Sequence, residues 1–141
     1  MIITPVSARR RRGSTLVEAA IVLPLLILVI FGLIEYGSLL LRLQQIENVT
    51  RQAARYAATP DATQSATTTL VSTLMTTAGM PNSSSHYTVT TSPTDIGTAV
   101  RGDRITVTVS ITYTNIAITR SSLIPVPTTV SRTVVMAKEG P

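Results

Sequence analysis

The stretch from Arg9 to Ser38, RRRRGSTLVEAAIVLPLLILVIFGLIEYGS, limits what this chain can fold into. Four arginines come first and Gly13 follows. From Leu16 to Ile34 the residues are apolar or small apart from Glu18, and Glu35 closes the run. The helical rise from Glu18 to Glu35 is about 26 Å, close to the thickness of a bilayer's hydrocarbon core. A single transmembrane helix over residues 14–38 is therefore expected. Arg9, Arg10, Arg11 and Arg12 should stay on the cytoplasmic side, with everything beyond Glu35 outside.

Glu18 is the informative residue of this run. A carboxylate in lipid costs a few kcal/mol at the helix centre and less near the interface, on the order of the insertion scales. An anchor alone has no use for it. A glutamate at a helix start is also favoured by the helix dipole and could pair with Arg12, so the residue by itself has a bland reading. Pro24 removes one backbone donor and crowds the preceding turn, so a kink or local loosening of the helix is expected there. Prolines are also tolerated in membrane helices without further purpose.

The order Gly13-Ser14-Thr15-Leu16-Val17-Glu18 resembles the processing signal of type IV pilins and pseudopilins. Val17-Glu18-Ala19-Ala20-Ile21-Val22-Leu23-Pro24 and Phe31-Gly32-Leu33-Ile34-Glu35-Tyr36-Gly37 are similar to the TadE-like pseudopilins of tight-adherence pilus systems. The Ala-Arg-Tyr-Ala segment at residues 54–57 fits the same family. The resemblance covers Arg9 to about Ala58. It implies a basic leader, residues 1–13, cut after Gly13 by a prepilin peptidase, so that Ser14 becomes the new N-terminus. It also implies that Glu18 meets the free amine of a neighbouring subunit during assembly. The implied partners are the peptidase, other pilins or pseudopilins, and inner-membrane platform proteins of the pilus.

Net charge does not point to nucleic acid. The chain carries +5, but without Arg9 to Arg12 eight basic side chains face seven acidic ones, leaving +1. The basicity is a topology signal. Cysteine is absent, so the outer region must hold itself by packing alone. His86 is the single histidine, and Asp61, Asp95, Asp103 and Glu139 are scattered. No phosphate loop, metal-ligand cluster or nucleophile motif is present. No cofactor, metal or small-molecule substrate is expected, and the chain is read as the substrate of an enzyme and not an enzyme.

Beyond the membrane run, Leu39, Leu43, Ile46, Val49 or Thr50, Ala53 and Tyr56 or Ala57 recur at three- and four-residue spacing. That predicts an amphipathic stem helix over residues 39–58, continuous with the membrane helix. Glu47 and Arg51 form an i,i+4 pair. Thr59-Pro60-Asp61 breaks the helix, and Asp61 is expected to cap a second helix over Thr63 to Ala78. Its buried stripe is read as Leu70, Val71, Leu74 and Met75. Gly79 to Ser85 reads as a loop.

From His86 the period changes to two. Tyr87, Val89 and Thr91 alternate with hydroxyl residues, as do Ile105, Val107, Val109, Ile111 and Tyr113. A last strand, from about Thr128 to Ala137, turns Val130, Val134 and Met136 inward, with Arg132 as an unexplained interruption. Gly102-Asp103 signals a turn, which also accounts for the Arg101-Gly102-Asp103 tripeptide. The link from Ser121 to Pro127 reads as an extended loop. Asn48-Val49-Thr50 and Asn82-Ser83-Ser84 match glycosylation sequons by chance.

The expected fold is α+β. A long N-terminal transmembrane-plus-stem helix is followed by a second short helix and an antiparallel sheet of three to four strands in a pilin-like arrangement. Residues 59–141 form the extracytoplasmic domain. The leading functional expectation is a minor pilin or pseudopilin. One alternative is a bitopic envelope protein whose outer domain binds a partner without entering a filament. A third reading is release by a conventional signal peptidase near Gly37-Ser38.

Overall fold

The computed structural model describes residues 11–80, 85–119 and 124–140, with only the backbone of residues 11 and 12. Helix α1 (Arg11–Ala57) is followed by α2 (Gln64–Thr77), β1 (Tyr87–Ser92), β2 (Arg104–Thr112) and β3 (Thr129–Ala137). The three strands form one antiparallel sheet in the order β1-β2-β3. The protein is thus α+β, with the long apolar helix, the second short helix and the three-stranded sheet in the expected order.

Helix α1 is 47 residues long and runs unbroken through Pro24, Gly37 and Ser38. Its lower half is exposed on every side up to Ile34, with Gly32 the one half-buried position. From Glu35 upward it becomes one-sided. Leu39, Ile46, Val49, Thr50, Ala53, Ala54 and Ala57 are buried, and Leu43 and Tyr56 pack at the margin of this stripe. Buried Thr50 donates its hydroxyl to the Ile46 carbonyl at 2.7 Å, which removes the cost of an unpaired hydroxyl in the core. In the Asn48-Val49-Thr50 sequon the threonine faces the core and Asn48 is exposed. The other sequon, Asn82-Ser83-Ser84, lies outside the described residues.

The second helix starts where expected but on a different cap. The Thr63 side chain, not Asp61, accepts the Ala66 N–H. Both residue types cap well, and Thr63 stands directly before the first helical residue, so it reaches the free amide. The buried stripe is Thr67, Val71 and Met75 with Leu74 beside it. Leu70, expected inside, lies at its half-exposed edge and Thr67 takes the inner position. Thr67 can do so because its hydroxyl donates to the Thr63 carbonyl at 2.9 Å. The helix ends in a Schellman turn: Gly79 N–H bonds Thr76 O at 3.0 Å and Met80 N–H bonds Met75 O at 2.9 Å. Gly79 has φ +66°, which a side chain would strain. From α1, Gln45 donates to the Ala78 carbonyl at 3.3 Å and Arg42 to the Gly79 carbonyl at 3.4 Å. A cation thus meets the negative end of α2.

The sheet lays its apolar face on α1. Tyr87 pairs with Ile111, and Val89 with Val109. On the other side Val130, Arg132, Val134 and Met136 pair with Ile111, Val109, Val107 and Ile105. Ile105, Val107, Val109 and Ile111 are buried, as the period-two pattern requires. Arg132 shares this inward face. It survives there because it stands over the edge of α1, with Nε 3.8 Å from the Glu47 carboxylate, which also pairs with Arg51. The opposite face is mostly hydroxyls, with Thr108 and Thr133 side chains 2.8 Å apart, and Val135 is its one large apolar side chain. Strand β2 ends at Thr112, two residues short of the alternation expected through Tyr113 and Thr114. Tyr113 opens a 3-10 turn and remains buried. In the link before β3, Ser121, Ser122 and Leu123 lie outside the described residues.

At Arg101-Gly102-Asp103 the chain turns into β2. Gly102 has φ +91°, and the Asp103 carboxylate accepts the Val100 N–H at 2.9 Å. The tripeptide's acid is thereby engaged in its own turn.

Candidate assembly site on the long helix

The two glutamates of the apolar run have opposite surroundings. Glu18 projects from the exposed lower helix, one turn beyond Ser14 and beside Val17, Ile21 and Val22, which are also exposed. Among the described residues it has neither a hydrogen bond nor an ion pair. Gly13 and Ser14 are exposed as well, and nothing lies within 4 Å of where a Gly13 side chain would project. Of the arginine cluster, Arg9 and Arg10 lie outside the described residues, and Arg11 and Arg12 form the first backbone positions of α1. The helix thus gathers Gly13, Ser14 and Glu18 at one end. Pro24 follows on the same exposed segment.

Glu35 is 2% exposed and fully engaged. Tyr113 donates its hydroxyl to Oε1. Thr119 donates its backbone N–H to Oε2 at 2.9 Å and its hydroxyl to the same oxygen at 2.7 Å. Three donors on one buried carboxylate satisfy it within the chain. The Tyr113 phenol titrates well above the usual tyrosine range, first because burial disfavours the phenolate and then because the Glu35 carboxylate stands against it. The neighbouring Tyr36 hydroxyl bonds the Pro125 carbonyl. Two successive residues at the exit of the apolar run therefore hold both described ends of the β2–β3 connection.

A second tie closes the other end of the domain. Lys138 is 4% exposed, and its ammonium reaches the Thr59 carbonyl at 2.8 Å and the Ala57 carbonyl at 3.5 Å. The Glu139 N–H bonds the Ala58 carbonyl at 2.7 Å. These groups take the place of water on the last carbonyl of α1 and on the two just past it, and the charge complements the helix dipole. Glu35 stood out in the sequence only as the close of the apolar run and part of its exit motif, and Lys138 not at all. Their partners lie roughly eighty residues away, and no local spacing announces them.

The model of a family described as TadE-like protein matches residues 13–55. The match begins at Gly13 and takes in Ser14, Glu18, Pro24, Glu35 and most of the stem, ending before α2 and the sheet. This segment is TadE-like, as its motifs suggested, which is consistent with a protein of the tight-adherence pilus system. No curated protein and no solved structure matches the chain. The long apolar helix near the N-terminus is consistent with a single-pass membrane protein.

Proposed function

We propose that this protein is a minor pilin or pseudopilin that takes part in assembling a tight-adherence pilus, after a prepilin peptidase cuts it between Gly13 and Ser14. It is a structural subunit and the substrate of an enzyme, with the cytoplasmic membrane as its site of insertion. The observation that carries the reading is the contrast between the two glutamates. Glu35 is consumed by bonds inside the chain. Glu18, on a segment matched to the TadE-like family, is left with no partner among the described residues. In lipid an unpaired carboxylate is costly, so capture of a cation from outside the chain is favoured. The amine freed at Ser14 of a second subunit, displaced along the helix axis, supplies such a cation.

The test is N-terminal sequencing of the protein from the membrane fraction. A start at Ser14, and an uncut precursor when Gly13 is replaced by a bulky residue, is the expected result. A start at Met1, or beyond Gly37, removes the processing step on which the reading depends.

A further inference from the structure

Among the described residues outside α1, three large apolar side chains are exposed: Val100 at 66%, Ile118 at 61% and Val135 at 41%. They lie in three different places. Val135 is on the outer face of the sheet, opposite Thr106. Val100 is at the far end of the domain, in the turn tied to Lys138 and so to the top of α1. Ile118 is at the near end. The next residue, Thr119, is bonded twice to Glu35, and two tight bonds to the Tyr113 carbonyl fix the turn, from Ile116 and Ala117 N–H at 2.9 Å each. Ile118 is therefore held at the height where α1 leaves its apolar run.

That height is a membrane boundary in the single-pass reading. From Gly13 to Ile34 the helix rises about 32 Å, enough to cross the hydrocarbon core. On the side away from the domain the apolar surface continues further, through Leu40 at 60% and Leu41 at 55% exposure. Those two leucines stand about 9–10 Å above Ile34 along the axis. The exposed apolar surface thus reaches past Glu35 on one side of the helix and includes Ile118 on the other. Tyr36, 44% exposed and bonded to the Pro125 carbonyl, lies in the same band, and tyrosine suits the headgroup level.

We infer that the turn at residues 116–119 is a second membrane contact, with Ile118 inserted at the headgroup–acyl boundary of the outer leaflet. The outer domain then rests on the lipid surface instead of standing clear of it on its stem. The partner is the lipid itself, and the contact is continuous with the apolar surface of α1. This inference rests on the single-pass membrane reading, but not on cleavage or on filament assembly.

The chain contains no tryptophan, so a single introduced indole is an unambiguous reporter. Ile118→Trp, Val100→Trp and Leu26→Trp replace exposed side chains and leave the core intact. Each full-length variant is reconstituted in vesicles of phosphatidylethanolamine and phosphatidylglycerol, with and without bromine on the acyl chains. Leu26→Trp, in mid-helix, should lose most of its emission to bromine. Ile118→Trp should be blue-shifted and quenched as well, and Val100→Trp neither. If Leu26→Trp is unquenched, the membrane reading fails and takes the inference with it. If Leu26→Trp is quenched and Ile118→Trp is not, the inference alone is overturned. An Ile118→Trp emission that is blue-shifted but unquenched overturns it too, since protein and not lipid then covers the turn.

Discussion

The phenol of Tyr113 and the carboxylate of Glu35, 78 residues apart in the chain, share a hydrogen bond at the foot of the outer domain. The bond joins the end of the apolar helix to the turn that follows the central strand. With the two Thr119 bonds it makes Glu35 part of the domain and not part of the lipid-facing surface. Replacing Glu35 by Ala orphans one buried donor, the Tyr113 hydroxyl, and two part-buried ones on Thr119, and should cost about 2–4 kcal/mol of unfolding free energy. Tyr113→Phe leaves both Thr119 bonds and should cost about 1.5–3 kcal/mol. Denaturant unfolding of the full chain in detergent measures both. A Glu35→Ala protein as stable as wild type would contradict the arrangement.

The same pair predicts a response to alkali. The Tyr113 phenol titrates above its ordinary value of 10.0, because burial and the Glu35 carboxylate both disfavour the phenolate. A group whose folded value is raised stabilises fully below its unfolded value and loses that contribution as pH rises towards the folded one. The stability gap between wild type and Tyr113→Phe should therefore be constant up to about pH 10 and narrow above it. Urea unfolding of both proteins across that range reads the gap directly. A gap that widens with pH would reverse the sign and refute the account.

The sheet register predicts unequal faces. Ile105 and Ile111 are buried against the helix, and Thr108 lies on the hydroxyl face opposite Thr133. Ile105→Ala or Ile111→Ala should cost about 2–5 kcal/mol. Thr108→Ala removes one cross-strand pair and should cost about 0.2–1 kcal/mol. Similar losses of protease resistance in the three variants would mean that the two faces are not distinguished as described.

At the other end of α1, Glu18→Gln removes a charge and keeps the shape. A plain anchor tolerates this change and inserts at least as readily. A pilin-like subunit inserts and is cut, but associates poorly with its neighbours. Crosslinking to pilus subunits and a count of surface pili separate these outcomes. Normal association and normal piliation would remove Glu18 from assembly.

Much of this architecture was legible because its signals are local. The alternation from Ile105 to Ile111 can be read only as a strand with one buried face. The three- and four-residue spacing from Leu39 to Ala57 likewise admits only a one-sided helix. The failures share a cause too. Asp61 and Thr63 are both good caps two residues apart, and only the final backbone path decides between them. Thr67 gains its inner place through a bond to the Thr63 carbonyl, which polarity alone argues against. Arg132 looked like an interruption because Glu47, its partner, sits on a helix some eighty residues earlier. Glu35 looked like the end of the apolar run for the same reason. A side chain can be placed on a face from periodicity, but its distant partner cannot be named.

Lys138 and β3 also bear on the timing of folding. Strand β3 covers part of the stem's apolar face, and Lys138 and Glu139 occupy the carbonyls at the top of α1. For a chain exported helix first, Ile46, Val49 and Ala53 emerge long before the strand that shelters them. The stem spends that interval with an uncovered apolar stripe, open to chaperones or to wrong neighbours. In the proposed single-pass topology, completion of the domain is then set by the passage of residues 129–139 across the membrane, and a stall before that point leaves an anchored but unfinished chain.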